Sequence, residues 1–93
     1  MDEITAGGMV LQGHTVPVFG AKLLVLQAAN GMLGCGYLNV ATADKLGHAL
    51  AIVTGVSGYA DMLSAEVRQV SAAARERGVV PGMTGLEALK KLN

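Results

Sequence analysis

Two apolar runs flank Asn30-Gly31 in the stretch KLLVLQAANGMLGCGYLNV, which covers residues 22–40. Lys22–Ala29 is apolar enough to predict a strand that is buried on both faces, and Met32–Val40 is predicted to pair back against it. Asn-Gly between two such runs is a strong signal for a hairpin with a type I′ turn, in which both turn residues take positive φ. The sequence therefore predicts an antiparallel hairpin that turns at Asn30-Gly31.

Further strands are predicted on both sides of this hairpin. Met9–Leu11 and Thr15–Phe19 are short strand candidates upstream, and Pro17 favours an edge position or an irregular strand. Ala49–Val53 predicts one more buried strand downstream. About five strands are therefore expected, most of them antiparallel neighbours.

Helices are predicted mostly after the strands. Thr42–Gly47 is expected to form a short helix capped by Thr42, and Tyr59–Leu63 about one helical turn. Ser64–Gly78 is expected to be a longer helix, and Thr84 with Glu87 forms the capping-box pattern that begins a last helix. Strands followed by helices predict an α+β fold, a two-layer sandwich with the C-terminal helices packed on one face of a mostly antiparallel sheet.

Charged residues are few and unevenly distributed. The 93 residues are 52% hydrophobic and 15% charged, and seven basic residues balance seven acidic ones. Between Ile4 and Ala43 the only formally charged residue is Lys22. The length predicts one domain, and a domain this small cannot bury so long an uncharged segment by itself. We therefore expect a homo-oligomer that associates through the N-terminal half, or a subunit of a larger complex. Zero net charge argues against a nucleic-acid partner.

A membrane is the competing explanation for the low charge. Leu23–Ala43 has the length of a spanning helix, but it contains Gln27, Asn30 and Asn39 and several glycines. The acidic start at Asp2 is unlike a signal peptide. The sequence therefore predicts a cytoplasmic protein without a membrane partner, which is compatible with a free thiol.

Several segments resemble a known family. They are Gly31–Val40 (GMLGCGYLNV), Thr54–Val56 (TGV), Asp61–Leu63 (DML) and Gly82–Leu89 (GMTGLEAL). Together they resemble the YunC-like family of small bacterial and archaeal proteins, over nearly the whole chain. The resemblance implies a single compact two-layer α/β domain over residues 1–93. It implies no activity, because that family is a domain of unknown function.

Cys35 is the principal candidate for chemistry. As the only cysteine it excludes an intramolecular disulfide and a multi-cysteine metal site. It lies between Gly34 and Gly36, where another molecule could approach the backbone closely. A reactive thiolate needs a cationic neighbour or a helix N-terminus, and neither is adjacent in the sequence. A buried structural cysteine is therefore favoured over a catalytic one.

A small-ligand pocket is the alternative at this strand. Alternation along Met32–Val40 would place a thiol, a phenol and an amide on one face, close to the turn that follows the strand Ala49–Val53. The candidate ligand-binding residues are Cys35, Tyr37, Asn39, Thr54 and Ser57.

Other chemical motifs have simpler explanations. His14 and His48 match no metal-ligand spacing with Cys35, so no metal and no cofactor is expected. Gly55–Gly58 could hold an anion, but no P-loop lysine follows, and a strand-to-helix turn capped by Ser57 is favoured. A triad of Ser57, His48 and Asp61 lacks a nucleophile elbow.

Three function classes follow from these residues. A homo-oligomeric structural or interaction module, or an accessory subunit, is the first. The second is a small-ligand-binding protein with its site around Cys35, and the third is a thiol-dependent enzyme that uses the same residue. The sequence favours a role without catalysis.

Overall fold

The computed structural model describes residues 1–93, and six strands form one sheet whose spatial order follows the chain. The strands are β1 (Asp2–Ala6), β2 (Met9–Val18), β3 (Ala21–Gln27), β4 (Met32–Gly34), β5 (Leu50–Ile52) and β6 (Gln69–Val70). The helices are α1 (Val40–Leu46), α2 (Tyr59–Ser64), α3 (Ala72–Glu76) and α4 (Gly85–Leu92). All strand neighbours are antiparallel except β4 and β5. The α+β class and the mostly antiparallel sheet are confirmed, with six strands where about five were expected.

Two tight hairpins connect the first three strands. Gly7-Gly8 joins β1 to β2 with φ of 56° and 79°, and Phe19-Gly20 joins β2 to β3 with φ of 47° and 84°. Positive φ at both central residues is the type I′ geometry that matches the twist of the flanking strands. Strand β1 was not predicted from the sequence, and β2 was predicted as two separate strands. Pro17 lies beyond Gly13, where β1 ends and β2 has only β3 as a neighbour, so the residue does not interrupt a ladder on both sides.

The hairpin between β3 and β4 is confirmed, but its predicted turn is wrong. The chain reverses over Ala28–Gly31, with the Ala28 N–H donating to the Gly31 carbonyl over 2.8 Å. Neither Asn30 nor Gly31 has positive φ. Gly31 is instead packed closely, because a Cβ there would lie 2.8 Å from Leu92 Cδ2 and 3.0 Å from the Ala49 carbonyl oxygen. The glycine is required by contact between elements rather than by turn geometry.

The predicted strand Met32–Val40 is much shorter in the structure. β4 ends at Gly34, and the Leu38 N–H donates to the Cys35 carbonyl in a turn. Asn39 then caps α1, its Oδ1 accepting from the Ala41 N–H at 2.7 Å. The expected cap, Thr42, lies inside this helix. The helix stops at Gly47 as predicted, and this residue takes the left-handed conformation.

The predicted helix Ser64–Gly78 is also wrong. Its first half forms β6, which extends the sheet at the edge of β5, and its second half is α3, capped by Ser71. The Arg68 N–H donates to the Ile52 carbonyl. The free edge of β5 thus provides hydrogen-bond partners for this segment, and a helix here would leave that edge unpaired. Val67, Val70 and Ala74 are buried as expected. Val70 reaches the core from β6 and Ala74 from α3, rather than from one continuous helix.

Helices cover most of one face of the sheet and only a small part of the other. Helices α2, α3 and α4 cover the inner face, whose core includes Leu11, Leu26, Leu33, Met62 and Leu89. The helices were expected on one face of the sheet only. Helix α1 is the exception, because it packs on the opposite side against Leu50 and Ile52 of β5. No helix covers that opposite side over β1–β3. The prediction that β3 is buried on both faces is therefore only half correct, because Leu23 and Val25 are half-buried.

Side-chain hydrogen bonds tie α2 to the sheet and cap the N-terminus of α4. The Tyr59 hydroxyl accepts from Thr15 Oγ1 at 2.8 Å and donates to Asp2 Oδ2 at 2.9 Å, which ties α2 to β1 and β2. Burial raises the pKa of Tyr59 above its ordinary value of 10.0, and Asp2 raises it further. The capping box of α4 is confirmed, with Thr84 and Glu87 each accepting from the other's backbone N–H.

None of the helices has the length and apolar character needed to cross a bilayer.

Candidate functional site

A cavity of about 400 Å³ opens on the inner side of the sheet, at the end of the β2–β3 hairpin. We call it the hairpin cavity. Three segments of the chain line it: the hairpin turn, the turn after β4, and the loop before α2. Its lining residues are Gly20, Ala21, Lys22, Cys35, Gly36, Tyr37, Gly55, Val56 and Ser57.

Cys35 forms the floor of the hairpin cavity. The residue is 5% exposed and belongs to the inner core, since it follows Leu33 at a two-residue spacing. Its Sγ accepts a hydrogen bond from the Leu24 N–H over 3.3 Å. The structure thus joins both interpretations of Cys35, because the thiol packs in the core and also borders a cavity.

Lys22 contributes the only formal charge on the cavity lining. Strand alternation places it on the same side of β3 as the buried Leu24, and its Nζ lies 3.4 Å from the Ser57 carbonyl oxygen. No carboxylate lies within ion-pair distance of this ammonium, since the one ion pair in the structure joins Arg68 to Glu66. Lys22 was not among the predicted site residues. Because it is the only formally charged residue between Ile4 and Ala43, the sequence did contain a signal that marks it as unusual.

Ser57 borders the cavity but does not cap α2 as predicted. Its Oγ donates to Asp61 Oδ2 at 2.7 Å, and its backbone N–H donates to the same oxygen at 3.0 Å. These two bonds hold the pKa of Asp61 below its ordinary value of 3.8. The N-cap of α2 is Gly58, which offers no side chain.

Four backbone amides in the two turns after β4 and β5 have no acceptor within the protein. They belong to Gly36 and Tyr37 in one turn and to Gly55 and Val56 in the other. These residues line two sides of the same opening, and their N–H groups are hydrogen-bond donors without a partner in the fold.

The five predicted ligand-binding residues do not all line one cavity. Cys35, Tyr37 and Ser57 line the hairpin cavity, whereas Asn39 and Thr54 do not. Asn39 caps α1 and lines a separate groove of about 370 Å³ between α1 and the sheet. The predicted alternation is wrong because the strand ends at Gly34, so Tyr37 and Asn39 are not strand neighbours of Cys35.

The two histidines lie apart from the thiol. His14 is on the outer side of β2, where its Nε2 is 2.7 Å from Gln27 Oε1. His48 lines two other openings, and its carbonyl accepts from Ser71 Oγ. The structure holds no group of three or more His, Cys, Asp or Glu side chains that could bind a metal ion. The triad of Ser57, His48 and Asp61 is not formed, since Ser57 contacts Asp61 directly.

A second feature is the side of β1–β3 that no helix covers, which we call the outer face. Its strand alternation is set by the buried Leu11 and Leu24, which point to the core. Val10 and Val16 are 63% and 50% exposed there, and Glu3 is the only formally charged residue. The main members of the outer face are Glu3, Thr5, Val10, Gln12, His14, Val16, Val18, Leu23, Val25 and Gln27.

Comparisons with known proteins place this α+β chain in a family. The family model described as a domain of unknown function, DUF1805, matches residues 34–92, and the chain belongs to that family. The crystal structure of TA1206, a protein of unknown function from Thermoplasma acidophilum, is similar at 37% identity with a TM-score of 0.92. That similarity covers 99% of this chain and 90% of the other chain. Among curated proteins none matches the sequence.

Proposed function

We propose that this protein is a homo-oligomeric interaction module whose subunits associate through the outer face. The observation that carries this proposal is the outer face, which no helix covers and which has one formal charge, on Glu3 at the edge strand. Part of this face is apolar and only partly buried, because Val16, Val18, Leu23 and Val25 are neighbours on β2 and β3. Exposed apolar residues that are contiguous on a sheet are typical of an interface. We place this module in the cytoplasm, either by itself or as an accessory subunit of a larger complex.

A second copy of the chain is the occupant that this chemistry suits best. A face with almost no charge offers nothing to attract a charged partner, whereas it is complementary to itself across a twofold axis. His14 and Gln27 in the middle of the face already bond to each other, so their polar atoms are partly satisfied if the face is covered.

A charge placed on the outer face tests the association. Val16→Glu adds a carboxylate to a side chain that is 50% exposed in one subunit, so the subunit should still fold. Val80→Glu is the matched control, because Val80 is 45% exposed but lies outside the sheet. In sedimentation at micromolar concentration the wild type and Val80→Glu should be oligomers and Val16→Glu a monomer. A monomeric wild type, or an unchanged Val16→Glu oligomer, contradicts the proposal.

The hairpin cavity supports ligand binding as a second candidate function. It brings the Cys35 thiol, the Lys22 ammonium and four unpaired amides to one opening. Catalysis by the thiol would in addition require a substrate to reach Cys35, which is buried.

We also propose that the chain is YunC-like, since most of the segments that resemble that family lie within the matched residues 34–92.

A further inference from the structure

We infer that the hairpin cavity binds a small organic monoanion, a carboxylate that carries a short apolar tail. This inference rests on the second proposed function, ligand binding in the cavity, and specifies the charge and polarity of the ligand. It assigns the anion to Lys22 and to the amides of the two turns.

The charge of the ligand follows from the charge of the lining. Lys22 is the one ionic group there, no acidic side chain lines the opening, and the ammonium has no carboxylate partner. Its bond to the Ser57 carbonyl is long, at 3.4 Å, and leaves two donors of the ammonium free. Asp61, in the first turn of α2, keeps its negative charge, because the hydroxyl and the amide of Ser57 stabilise the ionised carboxylate, but it does not line the opening. The lining itself therefore carries a single positive charge without an ion-pair partner, and this charge attracts one negative charge.

The hydrogen-bonding groups of the lining point to the same class of ligand. The amides of Gly36, Tyr37, Gly55 and Val56 can donate but not accept. The Ser57 hydroxyl is already a donor to Asp61, so it is not the main group for a ligand. A carboxylate accepts several hydrogen bonds at once, and bonds to an ionised acceptor are stronger than neutral ones.

The size and the remaining walls define the rest of the ligand. About 400 Å³ lies within the range of pockets that hold small molecules, roughly 300–1,000 Å³. Cys35 and Val56 provide apolar surface for an aliphatic tail. The donors come from three segments that are distant in sequence, Lys22 on the hairpin and the turns at residues 36–37 and 55–56, so the complete site requires the folded protein.

Three probes that share a tail separate the charge from the cavity. Hexanoate, hexanamide and hexylamine are titrated into the ¹⁵N-labelled full-length protein, and amide shifts are followed by NMR. Hexanoate should move the amides of residues 36, 37, 55 and 56 and bind about two- to fivefold more tightly than hexanamide, which is the effect of one partly exposed charge. Hexylamine should not move them. Lys22→Met keeps the apolar stem and should lower hexanoate affinity to that of hexanamide, whereas Lys45→Met on α1 should leave it unchanged.

The outcomes distinguish the two levels of the proposal. Equal binding of hexanoate and hexanamide, or an unchanged hexanoate affinity in Lys22→Met, overturns the anion assignment and leaves ligand binding standing. Shifts confined to other regions, or no binding of any probe at millimolar concentration, overturn both the assignment and the ligand-binding function.

Discussion

Gly31 shows that a single residue can be placed by contacts that its neighbours in the sequence do not reveal. Asn-Gly predicted a turn with positive φ, yet the structure needs the glycine because Leu92 and Ala49 pack against its Cα. We expect Gly31→Ala to lower the free energy of unfolding by about 1–3 kcal/mol, the usual cost of overpacking. Gly36→Ala is the control, since a Cβ there would meet only Thr54 Cγ2 at 3.6 Å and φ is not positive. Equal stability of the two variants in urea melts would contradict the packing explanation.

Cys35 carries a second prediction at this scale. The residue is 5% exposed and its sulfur accepts from the Leu24 N–H, so the thiol should react with a small disulfide reagent far more slowly in the folded protein than in urea. Cys35→Ala should cost about 1 kcal/mol of stability, the effect of removing a small buried group. Fast labelling of the folded protein would show that the thiol is accessible and would return thiol chemistry to consideration.

Among the elements, Ser71 connects a strand, a helix and a loop through one hydroxyl. The buried Oγ accepts from the Leu50 N–H at 2.9 Å and from the Ala74 N–H, and it donates to the His48 carbonyl at 2.8 Å. Ser71→Ala leaves buried backbone groups without partners, and each such group costs about 1–3 kcal/mol. Ser64→Ala removes a hydroxyl that contacts only its own helix, at 3.3 Å and 3.4 Å, and should be nearly neutral. Chemical denaturation of both variants measures the difference, and a neutral Ser71→Ala would contradict the assigned role.

The capping box of α4 predicts a pH dependence. The bonds from Thr84 hold the pKa of Glu87 below its ordinary value of 4.5. A carboxyl whose folded pKa is lowered stabilises the protein above its unfolded pKa, and that contribution is lost as pH falls through the folded value. Glu87→Gln should therefore be less stable than the wild type at pH 7, with the difference shrinking below about pH 4.5. Glu76→Gln changes a carboxylate outside the box and should give a difference that does not vary in this way. Thermal melts between pH 3 and pH 7 measure both, and a constant difference for Glu87→Gln would exclude the mechanism.

For the whole molecule, the outer face links stability to association. If subunits cover this face in the folded state only, the melting temperature should rise with protein concentration, because mass action stabilises the associated form. Val16→Glu should remove that dependence and Val80→Glu should keep it. Calorimetry over a hundredfold range of concentration tests this. A wild-type melting temperature that does not change with concentration would argue against the oligomer.

Features whose signals are local could be predicted from the sequence. The capping box of Thr84 and Glu87, the helix at Tyr59–Ser64 and the strand at Leu50–Ile52 depend on residues within a few positions of one another. The α+β class follows from the order of these elements, and the low charge of the first half follows from composition. The strand at residues 69–70 could not be predicted in this way, because it forms against the free edge of β5, which is distant in the sequence. The cavity that Lys22 and Cys35 share could not be predicted either, because it depends on the antiparallel pairing of β3 with β4.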